Sequence, residues 1–217
     1  ARLLSPGYAQ EMAGRVATAM GRGRALRMEA LSREQDGTIH LSAADDEGNI
    51  AALTLTHGGG FGSGVTVPGL GLILGHGVSR FDPRPGLPNS PGPGKRPLNN
   101  MCPTIVARDG RPWLALGGRG GRRIPNAVFD VVAAVLTGKT VDEAMAAPRM
   151  DTDGNMHVTL EESWPEADVD AIRRMGYEVR TGPSATISAA AIGLDSGARR
   201  YDHSPSLTYG TPLRKKR

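Results

Sequence analysis

The chain has 217 residues, of which 39% are hydrophobic and 4% aromatic, and its formal net charge is +4. That length suits one domain with a substantial core and hardly two, and no apolar run reaches the ~20 residues of a membrane-crossing helix. A single cysteine, Cys102, excludes an internal disulfide, and His40, His57, His76, His157 and His203 show no paired ligand spacing, so neither a metal nor any other cofactor is expected.

Residues 4–31 read as helix. Ser5 precedes Pro6 as an N-cap with proline at the first helical position, and Tyr8, Met12, Val16 and Met20 recur on one face. Gly21 and Gly23 break that helix, and a second short one is expected over 25–31. Residues 32–37 form a polar, exposed connector. Next, 38–44 alternates as a strand, Asp45-Asp46-Glu47-Gly48-Asn49 is a turn, and 50–56 returns as the second arm of a hairpin. This brings Thr38 and Thr56 to the same end, although Thr54 and Thr56 also read as ordinary strand threonines on a wetter face. The run His57-Gly58-Gly59-Gly60-Phe61-Gly62-Ser63-Gly64 is too glycine-rich for regular structure, 65–74 alternates weakly as one further strand, and 80–97 is a long proline- and glycine-rich loop, exposed and lid-like.

Further on, 101–106 and 113–116 read as strands joined by Arg108-Asp109-Gly110-Arg111. Gly117-Gly118-Arg119-Gly120-Gly121-Arg122-Arg123 then connects to a helix starting near Pro125, with Val128, Val131, Val132 and Val135 buried. A strand, a glycine loop and a helix N-terminus in series point backbone N–H groups outward, as an anion or oxyanion site requires; the spacing is neither a phosphate loop nor a dinucleotide fingerprint. Thr140 caps another helix, with Glu143 in capping-box position. A strand at 158–161, a helix at 165–176 and strands at 177–180 and 187–194 close the sheet. Hairpins interleaved with helix pairs suggest a layered α+β or α/β domain. The basic tail Arg214-Lys215-Lys216-Arg217 reads as a solvated terminus, so no nucleic-acid partner and no membrane partner are expected. No apolar h-region follows the first residues, which favours a cytoplasmic location for the chain as given.

A threonine hydroxyl attacks a carbonyl only when a base takes its proton. Its own α-amine, with a pKa of about 8, can be that base once the preceding peptide bond is cut. This requires threonine at a new chain start, on a strand end, behind a reachable linker. Gly37-Thr38 meets those conditions, and Gly37 hinders attack on its carbonyl least.

The chain from Gly37 onward resembles the small subunit of the γ-glutamyltranspeptidases, which are N-terminal-nucleophile hydrolases. The resemblance is carried by Thr38-Ile39-His40-Leu41-Ser42, Leu53-Thr54-Leu55-Thr56, Phe61-Gly62-Ser63-Gly64 and Pro93-Gly94-Lys95-Arg96-Pro97-Leu98. Met101-Cys102-Pro103-Thr104-Ile105-Val106, Gly120-Gly121-Arg122-Arg123-Ile124 and Ala146-Ala147-Pro148-Arg149 continue it, and Leu3-Leu4-Ser5-Pro6-Gly7-Tyr8-Ala9 resembles the end of the family's large subunit. The resemblance implies an α+β, layered αββα sandwich of N-terminal-nucleophile hydrolase type, partial because most of the large-subunit portion is missing. It divides the chain into 1–37, a large-subunit-like end with its processing linker, and 38–217, a small-subunit-like catalytic domain.

By the same resemblance Thr38 is the autoprocessing residue and nucleophile, Thr56 supports it, and Gly120 and Gly121 supply the oxyanion N–H groups. Asn99 and Asn100 stand where the family has a serine pair for the substrate carboxylate. Other positions also depart from the pattern: Gly58 replaces a substrate-contacting asparagine, Gly77 and Arg80 replace the glutamine and aspartate that hold the α-ammonium, and Ile39 replaces the threonine after the nucleophile. An arginine repels an ammonium, so acyl transfer or amide hydrolysis is expected on a γ-glutamyl or an altered acyl substrate. A large-subunit-like companion chain is the expected partner. The alternative is a catalytically silent homologue that serves as a subunit or partner-binding module.

Overall fold

The computed structural model describes residues 5–22, 37–45, 47–192 and 199–203. In chain order these form α1 (Pro6–Gly21), β1 (Thr38–Ala44), β2 (Ile50–Thr56), β3 (Thr66–Val67), β4 (Leu72–Ile73), β5 (Thr104–Arg108) and β6 (Arg111–Arg119). There follow α2 (Ile124–Leu136), α3 (Val141–Ala146), β7 (Met150–Asp151), β8 (His157–Leu160), α4 (Glu166–Arg174), β9 (Glu178–Thr181), β10 (Thr186–Ile192) and β11 (Arg199–His203). The expected helix over 25–31, the connector 32–36, the end of the last strand at 193–194 and the tail 214–217 lie outside the described residues. Among the described residues no helix is long and apolar enough to cross a membrane.

Where the length suggested one domain, the chain forms two compact units, Leu31–Ala147 with Ser184–Arg217 and Ala1–Ala30 with Pro148–Pro183. The larger unit is built on a four-stranded sheet of order β11-β10-β6-β5, antiparallel throughout. Alternation along β6 and β10 gives this sheet two different faces. Leu114, Leu116, Ile187, Ala189 and Ala191 point to one side and pack with Ile124, Ala127, Val128, Val131 and Val135 of α2 and with Ala144 and Met145 of α3. Each such leucine, isoleucine or valine contributes ~1.5–3 kcal/mol on burial. Helix α2 buries the expected stripe, with Val132 only partly covered. Helix α3 starts on the capping box foreseen: Glu143 N donates to Thr140 Oγ1 at 3.2 Å and Thr140 N donates to Glu143 Oε2 at 2.8 Å.

Two sequence readings change here. The glycines after Leu116 do not begin a loop: β6 runs on through Gly117, Gly118 and Arg119, paired with Ser188, Ile187 and Thr186 of β10. The weakly alternating 65–74 segment is a small hairpin of two two-residue strands.

In the smaller unit β7, β8 and β9 form a separate sheet in which β8 and β9 are parallel, with α4 as the crossover. The strand expected at 177–180 therefore does not close the same sheet as β10. Val158, Leu160 and Val169 are its buried core, flanked by Trp164, Ile172, Tyr177 and Val179. Helix α4 starts just after Pro165, as expected, and ends before Gly176, whose φ is 92°. Helix α1 likewise starts where foreseen, Tyr8 N donating to Ser5 Oγ at 3.2 Å.

Candidate active site

The hairpin β1–β2 pairs Thr38 with Thr56, Ile39 with Leu55, His40 with Thr54 and Leu41 with Leu53. Period-two alternation sends Thr38, His40, Ser42, Thr54 and Thr56 to one face, and Ile39, Leu41, Leu53 and Leu55 to the other. The hydroxyl face is the one laid against β6 and β10, and Thr38 is only 8% exposed. The four aliphatic residues of the opposite face are 54–62% exposed. Thr54 and Thr56 are thus not on the wetter face, as the strand pattern alone allowed, but between two sheets.

At the open end of the hairpin Thr38 Oγ1 donates to Thr56 Oγ1 at 2.9 Å. Thr56 Oγ1 in turn accepts from Gly58 N at 3.0 Å and donates to Gly37 O at 3.3 Å. His57 N donates to the same Gly37 carbonyl at 3.0 Å. The carbonyl before Thr38 therefore has two donors on its oxygen, with the threonine hydroxyl one bond away. Loop 57–64 is anchored behind this group by His76 N donating to His57 O at 2.8 Å and Gly62 N to Gly59 O at 3.0 Å.

Two residues inward, the His40 ring lies between Thr54 Oγ1, 2.7 Å from Nδ1, and Ser42 Oγ, 2.9 Å from Nε2. Gly117 of β6 makes room for it, since a Cβ there would stand 2.4 Å from the imidazole Cε1. Burial without a neighbouring carboxylate to offset it pushes the His40 pKa below its ordinary value. Sequence reasoning assigned His40 no role beyond the motif. The signal was its place two residues from Thr38, which the strand period puts on the same face.

A second cluster gathers other residues singled out from the sequence. Arg80 closes the 3-10 turn Gly77–Arg80 and donates from Nη1 to Asn99 Oδ1 at 3.0 Å and to Asn100 Oδ1. Asn100 Nδ2 donates to the carbonyl of Gly121. Gly120 has φ 135° and Gly121 φ 64°, and Arg123 Nε donates to Gly120 O at 3.1 Å, so the glycine turn leading into α2 is held by its carbonyls. Gly58 joins the Thr38 group through its bond to Thr56. Gly77 begins the 3-10 turn that ends at Arg80, and an added Cβ there would meet nothing within 4 Å. Asn89 went unnoticed in the loop 80–97, yet it organises that loop: Nδ2 donates to Arg80 O at 2.7 Å, and Oδ1 accepts from Leu98 N at 3.0 Å. Asparagine between proline and serine in a glycine-rich stretch is a turn signal, and that signal did not distinguish it from its neighbours.

A family model described as Gamma-glutamyltranspeptidase matches residues 1–204. Among curated proteins, the Acylase ACY 1 proenzyme of Pseudomonas sp. (strain SE83) is 34% identical over 214 residues, which is 98% of this chain and 38% of that protein. The Glutathione hydrolase proenzyme of Bacillus subtilis (strain 168) is 32% identical over 159 residues, 73% of this chain and 27% of that protein. The chain thus spans less than 40% of the length of these relatives, given coverages of 38% and 27%. Among solved structures, the γ-glutamyltranspeptidase from Pseudomonas nitroreducens complexed with L-DON aligns with a TM-score of 0.68 at 29% identity, covering 82% of this chain and 99% of that one. The cephalosporin acylase from Bacillus halodurans aligns with a TM-score of 0.77 at 25% identity, covering 94% and 37% respectively.

Proposed function

The chain belongs to the γ-glutamyltranspeptidase family, and from that premise we propose that it carries the nucleophile of a γ-glutamyl-type acyl transfer or amide hydrolysis, freed by cleavage between Gly37 and Thr38. The observation that carries the reading is the bonded group at the hairpin end. A buried threonine hydroxyl points to a second threonine, and the carbonyl it would attack is already polarised by His57 N and Thr56 Oγ1.

In the first reaction Thr38 Oγ adds to the Gly37 carbonyl carbon, the bond from that carbon to Thr38 N breaks, and the hydroxyl proton ends on the departing nitrogen. Water then hydrolyses the new ester, leaving a carboxylate on Gly37 and restoring the Thr38 hydroxyl. In the second reaction the freed amine takes the Oγ proton as the hydroxyl attacks a substrate amide. The leaving amine receives that proton, and the acyl–Thr38 ester passes to water or to an amine acceptor. Gly120 and Gly121 are assigned to the oxyanion through their backbone N–H groups, where loss of one donor costs ~3 kcal/mol of transition-state stabilisation.

Arg80, Asn99 and Asn100 are assigned to the acyl end of the substrate, with Gly58 and Gly77 opening space beside it. A guanidinium in that cluster disfavours the α-ammonium of a glutamyl group and favours an anionic one, so the acyl specificity is altered from the glutathione type. The division into 1–37 and 38–217 follows from the proposed cleavage. The proposal includes a large-subunit-like companion whose helices complete an αββα sandwich over the outer face of β1–β2. The exposed Ile39, Leu41, Leu53 and Leu55 support that layer, and they equally favour the second reading, a subunit that binds its companion without catalysis.

Intact mass of the purified protein tests the proposal. The expected result is one fragment ending at Gly37 and another beginning at Thr38, with Thr38→Ala remaining uncut and without activity on any anilide of the acyl series. Wild-type protein that stays in one piece would overturn the catalytic reading and leave the second.

A further inference from the structure

We infer that the processing site is selective for glycine before the nucleophile, because the Gly58–Gly59 backbone fills the space that any side chain at position 37 would need. The inference rests on the proposed cleavage and adds a determinant of where it occurs. A Cβ on Gly37 would stand 2.6 Å from Gly59 O, 2.8 Å from Gly58 O and 2.9 Å from Gly59 C. These are distances at which something must move. The obstacle is backbone, not the movable end of a flexible side chain.

The loop has little freedom to withdraw. Gly59 O is engaged by Gly62 N at 3.0 Å, Gly58 N by Thr56 Oγ1 at 3.0 Å, and His57 O by His76 N at 2.8 Å. Gly62 is itself confined, since a Cβ there would meet Leu74 O at 2.2 Å. A side chain at position 37 therefore displaces residue 37 and not the loop. That displacement tilts the carbonyl away from His57 N and Thr56 Oγ1, the two donors that stabilise the oxyanion as Thr38 Oγ attacks. Loss of one such donor lowers rates by about 10²–10³-fold. The backbone of Gly58 and Gly59 thus packs directly against the scissile bond. Gly60, by contrast, would accept a Cβ with nothing within 4 Å.

The test follows cleavage by intact mass over time in wild type, Gly37→Ala and Gly60→Ala. The expected result is cleavage slowed about 10²–10³-fold in Gly37→Ala and unchanged in Gly60→Ala. Cooperative melting of Gly37→Ala placed in the uncut Thr38→Ala background shows that the chain still folds. Cleavage of Gly37→Ala at the wild-type rate, while wild type is cut, overturns the inference and leaves the proposed function standing. Equal slowing in Gly60→Ala, or loss of cooperative melting in the Gly37→Ala background, also overturns it, since the effect would then belong to the loop or to folding. Uncut wild type overturns the cleavage and this inference together.

Discussion

The four-stranded sheet is packed on both faces, and the two contacts follow opposite rules. On the α2–α3 side Leu114, Leu116 and Ile187 meet Ile124, Val128 and Val131 in an apolar core. On the β1–β2 side the sheet offers Ala115, Gly117, Ser188 and Ala190, small residues that let a layer of hydroxyls and one imidazole come close. The first contact supplies hydrophobic stabilisation. The second buries polar groups, each of which must keep a partner or cost ~1–3 kcal/mol, and its product is the fixed geometry of Thr38 and Thr56. The hydrophobic core and the bonded threonine pair thus lie on opposite sides of the same strands.

Substitutions on either side should separate these roles. Leu116→Ala removes a fully buried side chain from the helix side and should cost ~2–5 kcal/mol, read as a lowered denaturant midpoint, with cleavage at Gly37 still proceeding in the folded fraction. Gly117→Ala drives a methyl into the His40 ring and should cost about 1–3 kcal/mol. His40→Ala in the same chain should recover part of that loss, and simple additivity of the two changes in a double-mutant cycle would show that they are not coupled. The smallest effect concerns pH. The His40 pKa is lower in the folded chain than its ordinary value of 6.5, so the unfolded chain binds more protons between the two values. Its contribution is then fully present above pH 6.5 and is lost as pH falls from 6.5 towards the folded value. Melting temperatures from pH 7.5 to 5.5 should decline less steeply in His40→Gln than in wild type.

The elements governed by local rules were legible in the sequence. The β1–β2 hairpin, the Ser5–Pro6 start of α1, the Thr140–Glu143 capping box and the valine stripe of α2 each depend on residues a few positions apart. What was not legible depends on distant pairing. Gly117 and Gly118 resemble a loop until β10, nearly 70 residues on, supplies the ladder that makes them strand. The inward direction of Thr54 and Thr56 was hidden for the same reason, because a strand with one apolar and one hydroxyl face is normally read with the apolar face inside. Of the candidate site, the pairing of Thr38 with Thr56 followed from hairpin arithmetic. The joining of Arg80, Asn99 and Asn100 to Gly121 required the fold of the loop 80–97, whose organiser, Asn89, carries no distinguishing pattern.

The turn of the β1–β2 hairpin has an influence that reaches its far end. Sliding one strand past the other by a single residue would reverse every side chain, turning Thr38 to solvent and Ile39 inward. In most half-buried hairpins the apolar face resists such a slip, but here that face looks outward and gives no resistance. The restraint comes from the inner face, where His40 fits against Gly117 and Thr38 bonds to Thr56, and from the clasp at Asp45, whose carboxylate accepts from Glu47 N at 3.0 Å, Asn49 N at 2.8 Å and Asn49 Nδ2 at 2.7 Å. An exposed aspartate seven residues from Thr38 thereby helps to hold the register that turns this threonine inward.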